Sequence, residues 1–219
     1  MSSQFAPREI FSIILAWAVL SVAISYSYMR GLAGGDVSDL DYVVAAAIAT
    51  FCAFILHEMG HKFVAIRRGY VAHFQIWIWG IALALITAVA TGGRFLFGAP
   101  GAVYIAPAAA IGAYGYGYYS SNRRMTDPIR ENMLISAAGP GVNLAFAIFF
   151  LILYETSTIF NFVAIVAYFG LELNVVLGTF NMLPIPPLDG SKIFKDSIPV
   201  ALAIALPLWG MFLYFFLLQ

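Results

Sequence analysis

The chain has 219 residues, 62% of them hydrophobic and only 10% charged, with a formal net charge of zero and a mean hydropathy of +0.89. Soluble domains carry about 25% charged residues, so this composition excludes an ordinary soluble globular protein and places the chain in a lipid bilayer as a polytopic membrane protein. A neutral chain without zinc-finger, RNA-recognition or helix-turn-helix patterns offers no nucleic-acid surface, and the lone cysteine, Cys52, forms no internal disulfide and says nothing about compartment.

In chain order, the first apolar segment, Ile10 to Met29, has the length of a full span, about 20 residues, and exceeds a signal-peptide core of roughly 7–15. It reads as a retained anchor over about 9–29. Further spans are predicted over about 43–66, 133–154, 159–182 and 197–218. Between the second and third lies an insert, about 69–131, with a shorter apolar stretch (Ile76 to Thr91) and a Gly-, Ala- and Tyr-rich stretch (Phe95 to Tyr119). Lys62, Arg67 and Arg68 close the second span, and Arg123, Arg124 and Arg130 precede the third. The positive-inside rule therefore puts both ends of the insert in the cytoplasm. An even number of crossings separates them: none, with a re-entrant element, or two. Asp36, Asp39 and Asp41 in the first loop, with Arg30 as its only base, and Lys192 and Lys195 after the fourth span agree. The N terminus is thus predicted inside, the C terminus outside, and the second span runs inward.

That second span ends in His57-Glu58-Met59-Gly60-His61. Two histidines four apart on a helix project from one face and can hold one metal ion, with Glu58 beside them as general base. Ionisable groups inside a span mark a functional site by default, because burying them is costly. The pattern reads as hydrolysis inside the bilayer.

Two histidines leave a catalytic zinc short of a protein ligand, since such sites usually have three plus a water. His73, the only other histidine, is one candidate, and Asp189, within Asn181-Met182-Leu183-Pro184-Ile185-Pro186-Pro187-Leu188-Asp189-Gly190, is the stronger. A carboxylate following so apolar a helix needs a partner, and a divalent cation is the strongest available. Pro184, Pro186 and Pro187 lack a backbone N–H and disfavour helix before them, so the chain is expected to unwind there and line a cavity.

These motifs, with Ala138-Gly139-Pro140-Gly141-Val142-Asn143 between them, resemble the site-2 protease family of intramembrane zinc metalloproteases over roughly 43–196, about two-thirds of the chain. Ser191 stands where many members have a second glycine. The resemblance implies one Zn2+ per chain bound by His57, His61 and Asp189, a water activated by Glu58, and an oxyanion or substrate carbonyl bound by Asn181. A neutral amide can donate to an oxyanion without adding charge to the membrane. The implied substrate is a transmembrane protein cut near the cytoplasmic face.

The resemblance also implies a membrane-associated β element in the insert that pairs with substrate. Phe95, Phe97, Val103, Tyr104 and Ile105 around Gly98 and Gly101 suit such a strand, with Gly101, Ala102 and Val103 as candidate substrate contacts. Its outward N–H groups are expected at Ala102 or Tyr104. Asn143 has two readings, a substrate contact or an amide bonding neighbouring helices. Glu172 and Asn174 lie mid-span in the fourth helix, Glu172 either as a structural group or along a water path.

The expected fold class is an all-α polytopic membrane protein of about five to six transmembrane helices, with a β-hairpin or re-entrant insert between the motif helix and the next core helix. No repeat or linker divides the chain, which reads as one integral-membrane domain over 1–219; the oligomeric state is not legible. Two other functions compete: a metal-ion transporter, for which Glu172 is the only further acidic group along a pore, and a catalytically inactive membrane-protein-binding homologue, against which both histidines, Glu58 and Asp189 argue.

Overall fold

The computed structural model describes residues 5–31, 38–91, 100–107, 128–157 and 162–217. Helix α1 runs Pro7–Gly31, and α2, Asp39–Thr50, continues through a π-helical turn, Phe51–Ile55, into α3, Leu56–Arg67. Strand β1 (Tyr70–Ile76), helix α4 (Ile78–Ala90) and strand β2 (Gly101–Pro107) form the insert. Four helices follow: α5, Pro128–Thr156; α6, Phe162–Asn181; α7, Asp189–Asp196; and α8, Ile198–Leu217. Five stretches are long and apolar enough to cross a membrane: Pro7–Tyr26, Asp39–Arg67, Ile129–Thr156, Phe162–Asn181 and Ile198–Phe215. The all-α polytopic expectation holds, and the strand expected from Phe95 begins at Gly101; 92–99, with Phe95, Phe97, Gly98 and Ala99, lie outside the described residues, as do Arg123 and Arg124.

Local chemistry explains the boundaries. Ser38 caps α2 in a capping box, its hydroxyl accepting from the Asp41 N–H while the Asp41 carboxylate accepts from the Ser38 N–H. Gly69, at φ 87°, takes the left-handed conformation that ends α3 and turns the chain into β1. Beyond α6 the prolines stop the helix as expected. The chain folds back so tightly that a Cβ on Gly190 would lie 2.5 Å from the Met182 carbonyl, so only glycine lets α7 start against the end of α6.

The core is a helix bundle around α6. Ala45, Ala46 and Ala49 of α2 are buried without exposure, small residues that let helices approach closely. Tyr42 stacks on Phe169 at 6.2 Å, and Gly170 leaves room for the Phe150 ring of α5. Large apolar side chains such as Phe11, Val22, Phe149, Leu206 and Tyr214 remain exposed, as a lipid-facing surface requires.

In the insert, β1 and β2 pair antiparallel, with Tyr70 opposite Pro107 and Ile76 opposite Gly101. The Trp77 N–H donates to the Pro100 carbonyl at 2.8 Å, closing the other end of the ladder. The chain therefore leaves β2 beside the point where it entered β1. Helix α4 has 13 residues, about 20 Å at 1.5 Å per residue, short of a hydrocarbon core of about 30 Å.

Candidate active site

Helix α3 carries both histidines one turn apart on its buried face, and α7 brings Asp189 to them. His57 Nε2 and His61 Nε2 are 3.1 Å apart, and Asp189 Oδ2 lies 3.6 and 3.1 Å from them. A tetrahedral zinc about 2.0–2.1 Å from three donors sets their mutual separations at about 3.3–3.4 Å. The three observed distances bracket that value. Among the described residues this is the group able to hold a metal ion. His73 is not part of it: it lies exposed on β1, with Tyr104 stacked at 6.5 Å and Gln75 at 2.8 Å.

The bonds behind the rings decide which nitrogens could face an ion. Asn174 Nδ2 donates to the Gly170 carbonyl at 2.7 Å, leaving its Oδ1 to accept from Asn143 Nδ2 at 3.0 Å. Asn143 Nδ2 also donates to the Ala53 carbonyl, 2.8 Å away in the π turn. The Asn143 amide is thereby oriented, and its Oδ1 must accept from His57 Nδ1–H at 2.6 Å. His61 Nδ1–H donates to the Ile135 carbonyl at 2.7 Å. Both Nε2 lone pairs are left to converge with a carboxylate on one point, a donor set that suits a divalent cation.

Helix α5 closes the back of the site. A Cβ on Gly139 would stand 2.3 Å from His61 Nε2 and 2.7 Å from His57 Cε1, so the glycine is what lets α5 lie against the rings. Buried Pro140 lacks the N–H that would bond the Ser136 carbonyl, next to the Ile135 carbonyl that receives His61. Asn143, at 0% exposure, has its amide committed to His57, Ala53 and Asn174. Glycine packing was hidden in the sequence, and Asn174, singled out there only by its mid-span place, gains its role from the bonds to Asn143 and Gly170.

Glu58 is buried, and its Oε2 accepts the Val103 N–H of β2 at 2.8 Å. On the opposite strand edge the Phe74 N–H donates at 2.8 Å to Glu9. Phe74 and Val103 face one another, and a pair whose N–H groups both point away is a non-hydrogen-bonded rung of an antiparallel ladder. Alternation then turns Gly101, Val103 and Ile105 outward. Ala102 and Tyr104 face β1, contrary to the sequence expectation, because pairing parity is set by the partner strand rather than by β2's own composition. Gly101 has a further constraint, since a Cβ there would meet the Gln75 carbonyl at 2.5 Å. Asn181, at the end of α6, donates to the Leu177 carbonyl at 3.1 Å.

A donor triad shared between a membrane-length helix and the short α7 defines a metal-site membrane protein, and the relatives agree. The chain is 34% identical over 214 residues to a Methanocaldococcus jannaschii protein provisionally named zinc metalloprotease MJ0611, covering 96% of each chain. It is 30% identical over 206 residues to the provisionally named zinc metalloprotease Rip2 of Mycobacterium tuberculosis, covering 84% of this chain and 68% of that one. A Bacillus subtilis relative, YwhC, provisionally named likewise, is 39% identical over 88 residues, 36% of this chain. No family model matches, and no solved structure matches. The chain belongs to this family of zinc metalloproteases, and it is a multi-pass membrane protein.

Removing the amide behind His57 is expected to weaken the metal site without touching a ligand. Asn143→Leu should lower zinc affinity about 10–100-fold, the usual cost of losing the partner of a metal-bound histidine. Competition against a zinc chelator measures it. Wild-type affinity in a folded variant would assign Asn143 to helix packing alone.

Proposed function

We propose that the protein is an intramembrane zinc endopeptidase of the site-2 protease type, a single domain over 1–219 that hydrolyses peptide bonds of transmembrane substrates near the cytoplasmic face. The observation carrying this reading is that Glu58, next to the donor triad, lies on the edge of β2 that faces away from β1, where no further strand pairs among the described residues. A transporter would not need a strand edge beside its ions, and an inactive scaffold would not need the base.

His57, His61 and Asp189 would hold the zinc, which supplies Lewis acidity and draws a water's pKa towards about 7. Asn143 and the Ile135 carbonyl keep both imidazoles in the tautomer that presents Nε2. Glu58 takes the proton from the attacking water and delivers it to the departing amine nitrogen, the step assigned to a general base turned acid. Asn181 donates its amide N–H to the developing oxyanion. An unwound substrate segment satisfies its backbone in the apolar surroundings by adding to β2 through Gly101, Val103 and Ile105. Pairing there takes the Val103 N–H from Glu58 and frees the carboxylate for proton transfer. With the charge pattern of the loops, the N terminus lies in the cytoplasm and the site in the cytoplasmic half of its span.

The test is cleavage of casein by the purified protein in detergent, with proline substitutions on β2. Cleavage is expected to stop when zinc is chelated and return when it is restored. Val103→Pro or Ile105→Pro should lower the rate about tenfold, the cost of one or two lost backbone hydrogen bonds, at unchanged zinc content. Full activity in both proline variants would remove β2 from substrate binding, and chelator-resistant cleavage would remove zinc from the reaction.

A further inference from the structure

We propose that Glu9 is a positioning residue: its carboxylate oxygen, held on the Phe74 N–H, fixes the register of the β1–β2 sheet beside the motif helix and so selects which bond of a strand laid on β2 reaches the metal site, while Lys62 balances its buried charge. This rests on the peptidase reading above. Glu9 lies in the first turn of α1 at 6% exposure, and Lys62 of α3 at 1%. Their side chains form a buried ion pair, and the Phe5 ring covers the ammonium at 3.9 Å. The carboxylate oxygen that holds Lys62 also accepts the Phe74 N–H at 2.8 Å.

Three facts turn this pair from packing into register control. Lys62 follows His61 directly, as Glu58 follows His57, so both contacts move with the metal ligands. Phe74 and Val103 share one rung, so a carboxylate grips each end of it, Glu9 on the β1 side and Glu58 on the β2 side. When a substrate takes the Val103 N–H, the Glu58 grip is released and Glu9 becomes the carboxylate that still holds the rung, beside the packing of Phe74 on Phe54 and Ile55. A slip that keeps the same faces moves a strand by two residues, and would put Gly101 or Ile105 where Val103 stands. Buried ion pairs seldom add stability over apolar residues, and fixing register is their best-attested use.

Two double variants separate the acceptor from the charge. Glu9→Leu with Lys62→Met leaves no buried charge but removes the acceptor for Phe74. Glu9→Gln with Lys62→Met keeps an acceptor oxygen and discards the ion pair. Hydrogen exchange of the Phe74 and Val103 amides, read without substrate, is expected to rise at least tenfold in the leucine double variant and to stay near wild type in the glutamine one. With casein, the leucine variant should add cuts displaced by two residues from each wild-type cut and raise KM about tenfold at one zinc per chain. Wild-type exchange and wild-type cut positions in both double variants overturn the proposal. Equal disturbance in both also overturns it, since the pair would then only join helices. A wild-type protein that cuts no casein counts against the peptidase reading, while the exchange measurements still decide whether Glu9 fixes the sheet.

Discussion

Glu58→Gln is expected to lower casein cleavage by about 10²–10⁴-fold, the range for loss of a general base, while zinc stays at one per chain. The substitution is nearly isosteric, and its amide oxygen can still accept the Val103 N–H that Glu58 Oε2 accepts at 2.8 Å. Fold, sheet and triad should therefore survive, and only the proton acceptor is lost. Parallel assays of zinc content and initial rate check it. Cleavage within a factor of two of wild type would show that another group moves the proton.

Gly139→Ala should damage the site from the opposite side. The added carbon would lie 2.3 Å from His61 Nε2 and 2.6 Å from His61 Cε1, inside any van der Waals contact. Neither ring can step back cheaply: His61 is held by the Ile135 carbonyl at 2.7 Å and His57 by Asn143 at 2.6 Å. Loss of a supporting residue behind a ligand costs about 10–100-fold in metal affinity, and a carbon placed against the ligand atom itself should cost more. Overpacking should also lower stability by about 1–3 kcal/mol. Zinc content after dialysis, beside thermal unfolding, measures both. A folded Gly139→Ala protein with wild-type zinc affinity would mean that α5 does not lie against the rings.

How far the sequence carried these conclusions depended on the range of the interaction. His57, Glu58 and His61 were legible because helical periodicity alone puts i and i+4 on one face. The unwinding before Asp189 was legible because proline acts on its own backbone. The tautomer-setting bonds were not, since Ile135 and Ala53 contribute carbonyls that every residue has, and only the packing of α5 on α3 selects them. The direction of the Val103 N–H was hidden for a related reason: strand parity changes with a one-residue shift of partner, and β1 lies across an intervening helix from β2. Lys62 was visible as a charge closing the second span, but its union with Glu9 joins residues 53 apart. The π turn at Phe51–Ile55 had no sequence signal; such turns recur at functional sites, and here it offers the Ala53 carbonyl that orients Asn143.

The most direct measurement of the central claim is the cut position in a single-span protein co-reconstituted with this chain in liposomes, mapped by mass spectrometry against a Glu58→Gln control. A zinc peptidase whose triad is buried among membrane-length helices is predicted to cut within the hydrophobic segment, in its cytoplasmic half, and only when Glu58 is present. Cuts confined to the water-exposed flanks, or identical cuts from the Glu58→Gln protein, would contradict it.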